Sequence, residues 1–284
     1  MKPSRVVVVG AGVGGIAAAI RLAGAGHAVT VLERSLHIGG KLAGHSADGF
    51  TWETGPSLLT LPEVFDELCA MAGTRLADVV DLVRLDPSNR YHFADGSTFS
   101  TRDDALATRA EVVALSPGSG PSWDRWAERS TRVWRTASRT FFAGPIEDPR
   151  QLLRRMRSPR DLFAIDPLPT LHQRAAATFA DPRLVQWACR YATYAGSDPW
   201  RVPATLGCIP HIEQEHGCWA IRGGLGRLAS ALADVARTLD VEIVTGEEVT
   251  SIDVERGRVT GVTSGLAGRR AADVIVADVN GPYQ

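Results

Sequence analysis

The segment from Arg5 to Lys41 constrains the fold of this chain more than any other stretch. Arg5-Val-Val-Val-Val9 is short, β-branched and apolar on both faces, the pattern of a strand buried inside a parallel sheet. Gly10-Ala-Gly12-Val-Gly14-Gly15 follows at once. Glycines there allow a sharp turn, a close approach of a pyrophosphate to main-chain amides, and tight packing of the next helix, whose positive end faces the phosphates. Ile16 to Ala25 reads as that helix, with Gly26 as its stop. Ala28 to Leu32 reads as a second strand. Glu33 closes it, about 20 residues beyond the first glycine, where an acid bonds the ribose 2′-hydroxyl of a dinucleotide.

Lys2 and Arg5 ahead of the apolar stretch Val6 to Ile20 could also open a secretory signal peptide. Four glycines interrupt that stretch and a β-patterned segment ending in Glu33 follows, so the reading as a folded dinucleotide site is preferred. Its candidate residues are Gly10, Gly12, Gly14, Gly15 and Glu33.

After Glu33 come Arg34 and then Gly39-Gly40-Lys41, followed by Gly49-Phe-Thr-Trp-Glu53-Thr-Gly55-Pro56-Ser57. This order resembles the FAD-binding amine oxidase and phytoene desaturase superfamily, with Lys41 in the place of the family's usual Arg and Glu53 where Asp is commoner. Lys keeps the charge but cannot make the two-pronged phosphate contact of Arg. A second block, Arg190-Tyr-Ala-Thr-Tyr194 through Pro203-Ala204 and then Gly217-Cys-Trp219 through Gly223-Gly224, is similar to the middle of carotenoid desaturases and related polyene oxidoreductases. Taken alone, that block also reads as a loop and turn whose Tyr194 and Trp219 are core residues.

The resemblance covers Arg5 to Asn280. It implies FAD as cofactor, held by the five residues above together with Arg34, Gly39, Gly40, Lys41, Gly55, Pro56 and the backbone of Val249, where the family reads the adenine. It also implies hydride transfer from a C–H bond of a long isoprenoid or carotenoid to the flavin. The sequence identifies no acid, base or nucleophile for that chemistry, so the catalytic residues stay unassigned. Family members are longer than these 284 residues, so the resemblance further implies the N-terminal half of such an enzyme or a truncated gene product, which by itself binds FAD weakly and has little or no activity. Two other readings share the first block: a flavin oxidase of amines or porphyrinogens, and a non-catalytic lipid-binding protein on the same fold.

The expected fold is α/β: a Rossmann-like FAD-binding domain with a doubly wound sheet and a β-meander, interrupted by a mainly helical substrate domain. The expected divisions are 1–77, 78–216 and 217–284. Leu225 to Leu239 has helical periodicity, Val241 to Val244 reads as a strand, and Glu247 to Val254 with Arg258 to Thr263 reads as a hairpin. Within the middle segment, Tyr91 to Phe99 reads as a hairpin turning at Asp95-Gly96.

Trp123, Trp126, Trp134, Phe141 and Phe142 recur near helical spacing, as core packing or as the wall of an apolar tunnel. Arg150, Arg154, Arg155, Arg157 and Arg160, interleaved with apolar residues, suit either a solvated helix face or peripheral contact with an anionic membrane. A net charge of −1 gives no field to attract nucleic acid. Cys69, Cys189, Cys208 and Cys218 lack metal or redox spacing and read as reduced thiols of a cytoplasmic protein. His211 and His216 lie about 140° apart around a helix, so no metal site is expected; they and the neighbouring Glu213 and Glu215 read as solvated.

Overall fold

The computed structural model describes residues 2–141, 144, 148–156, 158–265 and 267–279. Its contacts divide the chain into two compact units, Met1–Arg84 with Trp219–Gln284 and, separately, Leu85–Cys218.

The first unit opens with strand β1 (Arg5–Val9), helix α1 (Val13–Gly24) and strand β2 (Ala28–Glu33). β1 pairs in parallel with β2 on one side and with Val274–Ala277 on the other, and β2 pairs in parallel with Glu242–Thr245. The chain thus leaves β1 towards one flank and returns on the opposite one, which creates a topological switch point at the carboxyl end of β1. Val6, Val8, Val29 and Val31 face a core built with Ile16 and Ile20 of α1 and Leu228 and Leu232 of the helix Gly226–Thr238. On the other side Val7 and Leu32 cluster with Val262 and Ala272, where the antiparallel sheet Val249–Glu255, Arg258–Ser264 and Gly268–Ala271 forms the β-meander. Both faces of β1 are therefore covered, which is why its apolar run does not alternate.

Each large aliphatic side chain buried this way stabilises the fold by about 1.5–3 kcal/mol. By contrast, the Arg5 guanidinium lies 2.8 Å from Asp273, its neighbour at the amino-terminal end of the same parallel strand pair. That hydrogen-bonded contact holds the Asp273 carboxyl down at about 2. Both partners are exposed, so the ion pair adds little, and the buried valines decide the register.

Helix α1 begins three residues earlier than its apolar periodicity suggested, which places Gly14 and Gly15 in its first turn. It stops as expected: the Gly26 N–H donates to Ala23 at 2.8 Å and the His27 N–H to Leu22 at 3.1 Å. The hairpin of the meander closes through Arg256–Gly257.

The second unit is mainly helical, with the hairpin Asn89–His92 and Thr98–Thr101 turning at Asp95–Gly96. The Asp95 carboxylate accepts from the Ser97 amide and hydroxyl, which fixes the turn. Trp126 of the helix Gly120–Phe141 is fully buried against Trp187 and Phe179, and Trp123 packs on Trp187 and Phe99. These two tryptophans belong to the core. Trp134 instead meets the edge of His216, and Phe142 lies outside the described residues.

The reading of the His211–His216 segment as solvated is corrected for Glu213. This carboxylate is buried and accepts from the hydroxyls of Tyr191, at 2.8 Å, and Tyr194, and from Arg190 at 3.2 Å. The Arg190 guanidinium also lies over the rings of Tyr91, Tyr191 and Tyr194. His211 faces the Thr131 hydroxyl at 3.2 Å. Among the described residues no cluster suits a metal ion.

The arginine-rich segment divides by role. Arg155 donates to the carbonyls of Thr140 and Gly144 at 3.0 and 2.9 Å, satisfying the chain where the long helix ends. Arg150, Arg154 and Arg160 are exposed, as are Leu162 and Phe163, while Arg157 lies outside the described residues. The four cysteines are free thiols, and burial pushes Cys208 up to about 11 and Cys218 up to about 12. No helix among the described residues is long and apolar enough to cross a membrane.

Candidate functional site

A cleft of about 880 Å³ opens at the switch point of the parallel sheet. Three turns wall it: Gly10 and Gly12 of the loop after β1 with Gly14 of the first turn of α1, Glu33 and Arg34 at the end of β2, and Gly39, Gly40 and Lys41 of the second glycine turn. Pro56 and Val249 complete the set of expected residues that line it. Their convergence follows from strand order, since ligand crevices in such sheets form outside the carboxyl ends of strands where the winding reverses.

Glu33 is anchored from both sides. One carboxylate oxygen accepts from the Ala11 amide at 2.8 Å and the other from the Ser35 amide at 2.8 Å. The second glycine turn is pinned to the first, because the Gly39 amide donates to the Ala11 carbonyl at 2.8 Å. Val249 reaches the cleft because its approach is tied to β2: the Gly246 amide donates to Ser35 and the Glu247 amide to Glu33, each at 2.8 Å.

Two expected residues act from behind the lining. At Gly15 a Cβ would stand 2.0 Å from the Gly10 carbonyl oxygen. Alanine is favoured over glycine in a helix by about 1 kcal/mol, but an overlap of this depth against backbone outweighs that gain. Gly15 therefore sets the packing of α1 on the loop. At Gly55 a Cβ would stand 1.9 Å from the Lys41 carbonyl oxygen, so Gly55 lets the chain pass beneath Lys41. Glu53 plays a further supporting part: its carboxylate accepts from the Leu225 amide at the entrance to the helix Gly226–Thr238, joining the two sequence blocks of this unit.

Ser35, His37, Glu247, Glu248 and Asp278 also line the cleft without having been expected there. For Asp278 a signal was present. It immediately follows the β-branched strand Val274–Ala277, the neighbour of β1, and so falls at the same carboxyl edge.

The donor set fits a phosphate-bearing dinucleotide: amides and a helix N-terminus for the phosphates, a carboxylate for a ribose, and the cations Arg34 and Lys41.

Residues 13–278 match the family described as flavin containing amine oxidoreductase. The chain is 34% identical over 275 residues to a 4,4'-diapolycopene oxygenase of Methylomonas, covering 97% of this chain and 55% of that protein. It is 32% identical over 274 residues to a 4,4'-diaponeurosporene oxygenase of Staphylococcus aureus, covering 96% and 55%. The chain thus spans about half the length of the curated relatives it matches. Among solved structures, a CLA-producing fatty acid isomerase from P. acnes shares the fold with a TM-score of 0.66 at 19% identity, over 98% of this chain and 59% of that one. With its parallel sheet, its glycine-lined cleft and a family match spanning most of its length, the chain belongs to the flavin-containing amine oxidoreductases, and its cofactor class is FAD.

Proposed function

We propose that the cleft holds the adenosine diphosphate portion of FAD, and that the chain serves the oxidation of a long apolar isoprenoid of the carotenoid class. The observation that carries the first part is the meeting, at one switch point, of the Gly10–Gly15 loop, Glu33 and the Gly39-Gly40-Lys41 turn. The loop amides and the positive end of α1 offer the phosphates hydrogen bonds and a favourable field. Glu33 accepts one backbone donor on each oxygen, and a carboxylate has about four lone-pair sites, so capacity remains for ribose hydroxyls. Arg34 and Lys41 balance phosphate charge, and the backbone at Val249 flanks the adenine.

Bound FAD would supply the two-electron redox chemistry, while the residues of the cleft bind and orient it. The substrate class is supported by the two relatives named as oxygenases of 4,4'-diapolycopene and 4,4'-diaponeurosporene. In this reading the unit Leu85–Cys218 is the substrate domain. The stretch containing exposed Arg150, Arg154, Arg160, Leu162 and Phe163 meets the membrane in which such a substrate dissolves.

The test is turnover. Protein loaded with FAD is given 4,4'-diapolycopene in liposomes with oxygen or a quinone as electron acceptor, and products are weighed by mass spectrometry. Loss of two hydrogens or gain of oxygen is expected, at a low rate because the chain spans about half the length of its relatives. Oxidation of a polyamine with the polyene left intact would instead select the amine-oxidase reading.

A further inference from the structure

We propose that Asp278 determines how tightly the cleft takes phosphate groups, because its own carboxylate competes for the place they need. This inference rests on the cleft being a dinucleotide site and adds to that reading a residue acting against the ligand. Asp278 follows the strand Val274–Ala277, and its amide donates to the Val9 carbonyl at 2.9 Å, so the pairing with β1 continues up to the glycine loop. From there its Oδ2 accepts from the Gly15 amide at 2.6 Å, in the first turn of α1.

The twelve-residue helix α1 has no other acid in that turn, and its N-cap Gly12 supplies no side-chain cap. Asp278 therefore gives the helix the anion that its exposed amides and dipole favour. A phosphate is attracted by those same amides and that same dipole. A phosphate seated at the backbone of Gly10, Gly12 and Gly14 meets the Asp278 carboxylate in the same half-enclosed cleft, and the mutual repulsion of the two anions opposes binding. Asp278 lines the cleft with Gly10, Gly12 and Gly14, so the competition takes place inside the site.

The competition is specific to charge. Asn at this position keeps an oxygen acceptor for the Gly15 amide but removes the repulsion, so phosphate-bearing ligands gain and neutral ones do not. Glu33 has the opposite role, because it is aimed at uncharged ribose hydroxyls.

The test compares wild type with Asp278→Asn by calorimetric titration with ADP and with FAD, with adenosine as a competitor lacking phosphates. Circular dichroism and thermal melting verify the fold, and Asp278→Ser serves if Asp278→Asn folds poorly. About tenfold tighter binding of ADP and FAD, with adenosine unchanged, is expected, a size typical of a charge-assisted contact at a helix terminus. Equal or weaker ADP binding by the folded variant overturns the role of Asp278 while leaving the cleft assignment standing. Failure of ADP and FAD to bind either protein overturns the cleft assignment, and this inference with it.

Discussion

At the scale of single residues, the site is a set of main-chain donors disciplined by acids. Glu33 both faces the cleft and ties down the Ala11 and Ser35 amides, so its removal acts twice. A hydrogen bond to a charged group contributes about 1.5–3 kcal/mol. Glu33→Ala is accordingly expected to weaken ADP binding by about tenfold to a hundredfold, as read by calorimetry, with Glu33→Gln falling between it and wild type. Unchanged affinity in Glu33→Ala would remove this carboxylate from the site. Glu33 was legible in the sequence because the acid's spacing from the glycines is set by the length of one strand–helix–strand unit. For Asp278 only the position at the end of a β-branched strand was legible; its contact with Gly15 was not, since that depends on which strand pairs with β1 from more than 260 residues away.

At the scale of elements, periodicity and turn chemistry revealed most of what the structure contains. The meander hairpin, the hairpin at Asp95–Gly96 and the helix ending before Gly26 all follow from local rules. Glu213 escaped those rules. An acid between two histidines on a short helix looks solvated until Tyr191, Tyr194 and Arg190 arrive from the preceding turns. Removing one partner of such a buried, hydrogen-bonded group costs about 3–5 kcal/mol, because Arg190 is left among aromatic rings without its counter-charge. Glu213→Ala should therefore lower the urea midpoint of the helical unit sharply, and more than Glu215→Ala, which serves as the surface control. Equal midpoints for the two variants would show that the cluster is dispensable.

The helix Pro182–Cys189 carries a pH dependence of its own. Its cap, Asp181, is held down at about 2, chiefly by the Arg183 guanidinium hydrogen-bonded to it at 2.7 Å. In the unfolded chain the same carboxyl titrates near 4. A depressed folded value means that the unfolded state takes up the proton first. The stabilisation is thus complete above about pH 4 and fades as the pH falls towards about 2. Denaturation of wild type across that window should show a steeper loss than Asp181→Asn; parallel curves would contradict the assignment.

At the scale of the whole molecule, the sequence announced an interrupted α/β unit through the order of its two motif blocks, and the structure divides the chain at Arg84–Leu85 and Cys218–Trp219. Those positions were not readable to the residue, because Leu82–Arg84 pairs with Trp219–Ile221, a two-strand match between short segments far apart in the chain. The surface of the helical unit was partly readable. Clustered arginines were visible in the sequence, but the diversion of Arg155 to carbonyls at the end of the long helix, and the exposure of Phe163 at 70%, were not. Flotation with phosphatidylglycerol liposomes should recover the wild-type protein in the lipid fraction, and Phe163→Ser combined with Arg150→Gln, Arg154→Gln and Arg160→Gln should leave it behind. Full retention by the quadruple variant would sink the membrane contact.

Whether the cleft holds FAD is tested most directly by a crystal structure of the chain grown with FAD. The adenosine ribose is expected within hydrogen-bonding distance of the Glu33 carboxylate, and the phosphates at the amides of the Gly10–Gly15 loop. A cofactor bound elsewhere, or one whose ribose and phosphates avoid those residues, would contradict that placement.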